Sequence, residues 1–135
     1  MRMSFISLLF VFNLFFPNES SEGADVTESY DVIEVTATTY KATSNETDST
    51  PLITASGFKI NPKRAKQHRI IAVSRDLKKK YKFGTRVKIS GAGKYSGEYV
   101  VRDVMNKRYR KRIDILIGKK DKETKFKKVK IRKVS

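Results

Sequence analysis

The sequence contains no cysteine, no tryptophan and a single histidine. Without cysteine the chain has neither a disulfide framework nor a lipid-modified cysteine anchor, so a folded domain must be stabilised by its core alone. The one histidine, His68, lies in a basic stretch, and we therefore expect no zinc site and no nucleophilic triad. No glycine-rich phosphate loop of standard spacing is present, and we expect no cofactor.

Acidic residues are scarce in the second half of the chain. Residues 58–135 hold 28 Lys and Arg against six acids, a net charge of +22, whereas residues 24–57 carry −5. A positive field of this size attracts polyanions without specifying which ones. It is typical of nucleic-acid-binding proteins, but the N-terminal segment favours an anionic cell-wall polymer.

That N-terminal segment is apolar but short. Residues 5–16 (FISLLFVFNLFF) follow Met1 and Arg2 and precede Pro17 and the polar stretch NESSEGAD. A bilayer span needs about 20 apolar residues, so we expect no stable transmembrane anchor. The order of charge, apolar run and small polar residues predicts a signal peptide over residues 1–23, cleaved after Gly23, and export to the periplasm or cell envelope of a bacterium.

Beyond a linker over residues 24–34, the rest of the chain reads as short strands. Six β-branched segments of six to nine residues are flanked by glycines and polar loops, at residues 32–40, 69–74, 85–90, 97–103, 112–117 and 128–134. Helix signals are weak and fall at residues 76–81 and 121–126. Short strands with little helix predict an all-β fold, a small closed or nearly closed six-stranded barrel with one or two helical turns, because closure removes exposed edges.

Two aspartates stand out in the stretch VRDVMNKRYRKRIDIL, which covers residues 101–116. Asp103 ends one predicted strand and Asp114 lies inside the next, on the same face as Arg112 and Leu116. An acid within an apolar strand is costly unless it is paired or used. A salt bridge to a neighbouring arginine and a functional carboxylate are both open interpretations of Asp114.

Five motifs, taken in order, resemble the three-aspartate (3D) domain, a family of double-psi β-barrels related to membrane-bound lytic transglycosylase A. They are VTATTY (residues 35–40), TASG (54–57), IAVS (71–74), FGTRVKI (83–89) and the stretch 103–116, which keeps both aspartates and RID at 112–114. From this resemblance we expect a 3D domain over residues 35–135, and we expect the chain to be a monomer. It implies a cleft that includes Tyr40, Thr54, Ser56, Ser74, Asp76 and Arg112.

The sequence departs from the family pattern in two places. The family's first aspartate falls on Ser74, and the nearest acid is Asp76. The two glycines that follow the family's second aspartate are replaced by residues 104–106, VMN. The first departure bears on the carboxylate cluster, and the second changes a loop that borders the cleft.

The resemblance implies a lytic transglycosylase that cleaves the β-1,4 bond between N-acetylmuramic acid and N-acetylglucosamine in peptidoglycan. Asp114 would protonate the glycosidic oxygen and then accept the proton of the C6 hydroxyl as a 1,6-anhydro ring closes, with Asp103 supporting it by like-charge proximity. The alternative is a non-catalytic barrel of the same fold that binds peptidoglycan or other anionic wall polymers. A nucleic-acid-binding barrel is disfavoured by the predicted export.

Overall fold

A computed structural model describes residues 31–42 and 52–134. The predicted signal peptide and most of the linker lie outside the described residues. The chain divides into a unit of residues 1–32 and a unit of residues 33–135, and the strands described below belong to the second. In the described part of the chain, no helix is both long and apolar enough to span a membrane.

The second unit is a closed barrel of six strands. In chain order these are β1 Ile33–Tyr40, β2 Ile70–Val73, β3 Arg86–Ser90, β4 Gly97–Val104, β5 Arg112–Leu116 and β6 Lys125–Lys133. Around the barrel the order is β1-β5-β2-β4-β3-β6, with β1–β5 and β2–β4 parallel and the other pairs antiparallel. The all-β six-stranded barrel predicted from the sequence is confirmed.

Alternation along each strand builds the interior of the barrel. Val35 and Ala37 of β1 and Ile113 and Ile115 of β5 are almost fully buried, and they alternate with partly exposed residues. Since successive side chains on a strand point to opposite faces, the intervening residues form the outer surface. The outer faces of β1 and β5 therefore carry the polar residues of the candidate site.

A second, smaller core lies on that outer surface. Ile70 of β2 and Leu116 of β5 are about 1% exposed, and they pack with Ala42, Ile60 and Ala65. These partners come from the segment after β1 and from a 3-10 helix, Pro62–His68. The smaller core thus covers one end of the outer face of β2 and β5. The polar residues lie at the other end of the same face.

The helical turns differ in position from the predicted ones. The turn expected at 76–81 is a 3-10 helix at Arg75–Leu77, and another lies at Gly93–Tyr95. The prediction of a helical turn at 121–126 is wrong. The Asp121 carboxylate accepts the Gly118 N–H in a tight turn, and β6 begins at Lys125. Pairing of β6 with β1 outweighs the local preference.

Candidate functional site

A row of side chains crosses four neighbouring strands on the outer face of the barrel. Thr38 of β1 is in register with Asp114 of β5, Asp114 with Ala72 of β2, and Ala72 with Asp103 of β4. We call these four residues the acidic row. Two strand spacings, about 9.5 Å, separate the backbones of the two aspartates. The small side chain of Ala72 lies between them.

A β-bulge places Asp103 in this row. Val101 pairs with Ile71, but the next pair is Asp103 with Ala72, so Arg102 is an extra residue on β4. Without the bulge, Arg102 would be in register with Ala72. The irregularity therefore decides which side chain faces Asp114 across β2, as bulges near functional sites commonly do.

Three donors converge on the carboxylate of Asp103. Its Oδ1 accepts the backbone N–H groups of Ala55 and Val104, both at 2.9 Å, and its Oδ2 accepts the hydroxyl of Tyr40 at 3.4 Å. The Ala55 bond ties the turn of residues 54–57 to β4. Asp103 is thus held in one orientation by both its own strand and the loop that lies over it.

Tyr40 remains a protonated phenol. Burial is the main cause that raises its pKa well above the ordinary value of 10.0, and the charges of Asp103 and Asp114 and the hydrogen bond to Asp103 raise it further. Both aspartates therefore act on one hydroxyl. At any physiological pH that hydroxyl is a donor, not a base.

Asp114 contacts the side chain of Thr38, which sequence reasoning missed. The Thr38 hydroxyl donates to Asp114 Oδ1 at 2.9 Å and lies 3.4 Å from the carbonyl oxygen of Ile113. Thr38 occupies the same face of β1 as Tyr40, two residues earlier, so the alternation of that strand was a usable signal. Ala72 carried no such signal, because its place depends on the pairing of β2 with its neighbours.

Thr54 and Ser56 act within the turn that holds Asp103. Their hydroxyl oxygens are 3.0 Å apart, and Thr54 Oγ1 accepts the N–H of Phe58 at 3.1 Å. Thr54 is buried, while Ser56 is exposed. The structure thus brings both residues close to Asp103 through the turn rather than by direct contact with its carboxylate.

Ser74 and Asp76 support the start of β5 rather than the acidic row. Ser74 is fully buried; its N–H donates to the Arg112 carbonyl at 2.9 Å and its Oγ accepts the Arg112 N–H at 3.1 Å. Asp76 accepts the N–H of Lys111 at 3.0 Å. Asp76 is exposed, and its slight desolvation acts to raise its pKa, but hydrogen bonds from Ser74 and Lys111 and the charge of Arg110 lower the pKa overall.

The arginines near the row lie against an aromatic ring. The guanidinium carbons of Arg108 and Arg112 are 4.8 and 4.9 Å from the centroid of the Tyr109 ring, and Arg108 also donates to the Tyr109 hydroxyl at 2.7 Å. Tyr109 was not predicted. It stands at the Arg112 end of β5, beside the row, and is half-buried.

His68 has a structural contact. Its Nε2 accepts the N–H of Asn61 at 3.0 Å, and its ring meets the edge of Phe58 at a centroid distance of 5.2 Å. Within residues 31–42 and 52–134, no group of three or more His, Cys, Asp or Glu side chains is placed to hold a metal ion.

No protein-family model and no curated protein matches the sequence. Solved structures that match include two of an expansin from Clavibacter michiganensis: a mutant in complex with cellohexaose (TM-score 0.52, 14% identity) and the apo protein (TM-score 0.52, 15% identity). Each match covers 77% of this chain and 50% of the expansin chain, so this chain spans about half the length of that protein. The barrel shares the expansin fold.

Proposed function

We propose that this chain is an exported cell-envelope protein whose barrel binds cell-wall glycan strands at the acidic row. The observation that carries the proposal is the register that sets Asp103 and Asp114 on either side of Ala72, with the Tyr40 hydroxyl in reach of Asp103. Peptidoglycan is the glycan we propose, in keeping with the resemblance to the 3D domain. The predicted signal peptide agrees with an envelope location.

The chemistry of the row suits a carbohydrate. Carboxylate oxygens accept hydrogen bonds from sugar hydroxyls, and such bonds to a charged acceptor contribute about 1.5–3 kcal/mol. Thr38 and Tyr40 add hydroxyls that donate as well as accept. Ala72 lies between the two carboxylates in register, and a separation of two strand spacings is one that a single saccharide chain can bridge.

The structural similarity supports a glycan partner. An expansin with the same barrel fold has been observed in complex with cellohexaose, a linear oligosaccharide. The similarity says nothing of a reaction, so binding is the function that we place first.

Sedimentation with purified peptidoglycan sacculi tests this proposal. We expect the full chain to co-sediment, and Asp114→Asn to weaken binding by about tenfold because a charged acceptor is lost. Glu98→Gln is the matched control: Glu98 lies on β4, is exposed, and forms an ion pair with Arg86 at 2.9 Å outside the row. Equal binding by Asp114→Asn and the unmodified chain would contradict the proposal.

A lytic transglycosylase with Asp114 as acid and base is the second candidate. The observation that favours it is the position of the Thr38 hydroxyl between Asp114 Oδ1 and the Ile113 carbonyl oxygen. Because a hydroxyl has one proton, Thr38 can donate to the Asp114 carboxylate, or donate to Ile113 and accept from a protonated Asp114. Thr38 thus accommodates both protonation states that an acid–base residue needs.

In that reaction Asp114 gives its proton to the glycosidic oxygen as the bond to the N-acetylmuramic acid carbon breaks. The C6 hydroxyl of the same sugar then attacks that carbon, and its proton passes to Asp114 as the 1,6-anhydro ring closes. Since the nucleophile belongs to the substrate, a second catalytic carboxylate is not needed. Asp103, held by three donors, would support Asp114 from across β2.

Mass spectrometry of the material released from sacculi separates the two candidates. Soluble fragments with 1,6-anhydro ends, present with the unmodified chain and absent with Asp114→Asn, would establish the transglycosylase. Binding without release would establish a binding barrel.

A further inference from the structure

A cleft lined by lysines lies beside the acidic row. Its volume is about 310 Å³, and its walls come from β1, β6 and the residue before β5: Glu34, Val35, Thr36, Lys111, Lys125, Lys127 and Lys128. We call it the lysine cleft. Four cations and one acid face a single concave surface, and the transglycosylase chemistry above uses none of them.

A β-bulge concentrates the lysines of β6 in this cleft. Val35 pairs with Val129 and Ala37 with Phe126, so Lys127 and Lys128 together face the single residue Thr36. In a regular strand, adjacent side chains point to opposite faces. Here both Lys127 and Lys128 line the same cleft, which the bulge makes possible.

Two of the lysines have backbone conformations that L residues rarely adopt. Lys111 has φ of 48° and Lys128 has φ of 60°. Such angles favour glycine, and they persist in other residues only where the surroundings impose them. At Lys111 the constraint is visible: its N–H donates to Asp76 Oδ2 at 3.0 Å, and its carbonyl accepts the Thr36 N–H at 3.0 Å.

The lysines outnumber the acids in the lining of the cleft. The four lysines are exposed, and the ion pairs Lys66–Asp121 and Arg86–Glu98, both within the described residues, lie elsewhere. Glu34 is the one acid in the lining. The cleft therefore has the field of an anion-binding site.

The cleft is continuous with the acidic row. Thr36 lines the cleft and Thr38 belongs to the row, two residues along the same outer face of β1, or about 7 Å. On the neighbouring strand, Arg112 pairs with Thr36 and Asp114 with Thr38. A chain lying along β1 and β5 would meet Asp114 with one unit and the lysines with the next.

We infer that the lysine cleft is a subsite for the anionic groups, carboxylate or phosphate, of an acidic glycan whose sugar hydroxyls contact the acidic row. This inference rests on the proposed function and adds the class of glycan. The lining contains no aromatic ring on which a base could stack, and it uses lysines rather than the planar arginines that bind bases. An acidic glycan therefore fits the cleft better than a nucleic acid.

Isothermal titration of the full chain with four probes tests the inference. Two are acidic glycans: polygalacturonate, which carries carboxylates, and a poly(glycerol phosphate) teichoic acid, which carries phosphodiesters. The other two are uncharged cello-oligosaccharide and oligothymidylate, a single-stranded nucleic acid. We expect at least one acidic probe to bind about tenfold more tightly than the uncharged one at about 50 mM salt, with the difference shrinking at about 200 mM. Whichever acidic probe binds more tightly identifies the anionic group.

The combined variant Lys111→Gly and Lys128→Gly removes two charges at positions where glycine relieves the backbone. We expect it to lose about tenfold in affinity for the acidic probe and to keep its affinity for the uncharged one. Lys125→Gln with Lys127→Gln removes two other cleft charges without touching the strained positions and should give a similar loss. A thermal melt of each variant reports folding.

The control variant, Lys63→Gln with Lys119→Gln, removes two exposed lysines from a separate cleft formed by residues 62–67 and 118–121. It should change affinity by less than about twofold. An equal loss in the control, no loss in the cleft variants, or tighter binding of oligothymidylate than of both acidic glycans would overturn the inference. Failure of every glycan probe to bind, by a chain that still co-sediments with sacculi, would overturn the inference alone. Loss of sacculus binding as well would overturn the proposed function.

Discussion

The acidic row and the lysine cleft lie side by side on β1 and β5, but their charged side chains are positioned by different kinds of interaction. In the row, Asp103 accepts three hydrogen bonds and Asp114 contacts Thr38. In the cleft, four exposed lysines are brought together by a bulge and by two backbone angles with positive φ. Hydrogen bonds between side chains and their neighbours position the carboxylates of the row, whereas the backbone conformation positions the lysines of the cleft.

Binding can therefore be separated from stability in the cleft more readily than in the row. A substitution in the row removes partners of other groups and so affects folding as well as binding. A substitution to glycine in the cleft removes charge and strain together.

Truncating Asp103 should cost the most. Asp103→Ala leaves the N–H groups of Ala55 and Val104 and the hydroxyl of Tyr40 without their acceptor, so we expect the free energy of unfolding to fall by about 2 kcal/mol. Asp103→Asn keeps an acceptor oxygen for the two N–H groups and should cost less than half as much. Urea denaturation measures both, and equal losses would show that the hydrogen bonds to Asp103 are not what matters.

Tyr40 should make the barrel sensitive to alkali. Its raised pKa keeps it protonated in the folded chain above pH 10.0, where it ionises in the unfolded chain. Its contribution is fully present below that pH and is lost as pH rises further. Tyr40→Phe should lose about 1 kcal/mol at neutral pH and show a shallower decline above pH 10. Tyr99, whose pKa is also raised by burial, leaves a residual slope. Identical slopes in urea titrations would refute this role of Tyr40.

Lys128→Gly should stabilise the barrel by about 1 kcal/mol. An L residue with left-handed φ costs roughly 1–2 kcal/mol, and the larger conformational entropy that glycine loses on folding offsets part of the gain from removing that strain. Arg69→Gly is the comparison. Arg69 also has positive φ, but its guanidinium lies 4.0 Å from the Tyr99 ring centroid and its Nε donates to the Glu98 carbonyl. There the lost contacts should cancel the gain. Thermal melts of the two variants measure these effects. A Lys128→Gly variant less stable than the unmodified chain would contradict the idea that Lys128 is strained.

An exposed ion pair should matter least. Arg86 and Glu98 are 2.9 Å apart, with side chains 58% and 50% exposed. Glu98→Gln should change the free energy of unfolding by less than about 0.5 kcal/mol, because water and salt screen such pairs. Denaturation at low and high salt measures this change. A larger loss of stability would show that exposed ion pairs contribute more to the stability of this barrel than we expect.

Much of the barrel could be predicted from the sequence, because each strand is marked by β-branched alternation and ends near a glycine or a polar loop. The two aspartates were found for the same reason, by their place in strands. The 3-10 helix Pro62–His68 was missed although its signals were present: Asn61 accepts the Lys63 N–H, and Pro62 opens the helix.

The bulges could not be predicted, because a bulge is a property of two paired strands rather than of either sequence. The extra residue Arg102 sets the place of Asp103, and the pair Lys127 and Lys128 sets the cleft. For the same reason the sequence could not show that Ser74 and Asp76 bind the backbone at the start of β5. A place in the substrate cleft was the expectation at these positions.

Nuclear magnetic resonance titration of the ¹⁵N-labelled chain with soluble peptidoglycan fragments tests the proposed glycan site most directly. We predict that the backbone amide signals of Thr38, Ala72, Asp103 and Asp114 shift, and that those of Thr36 and Lys111 follow when the fragment carries anionic groups. Signals of residues 62–67 and 118–121 should stay in place. Shifts confined to that distant region, or no shifts at saturating fragment, would contradict a glycan site at the acidic row.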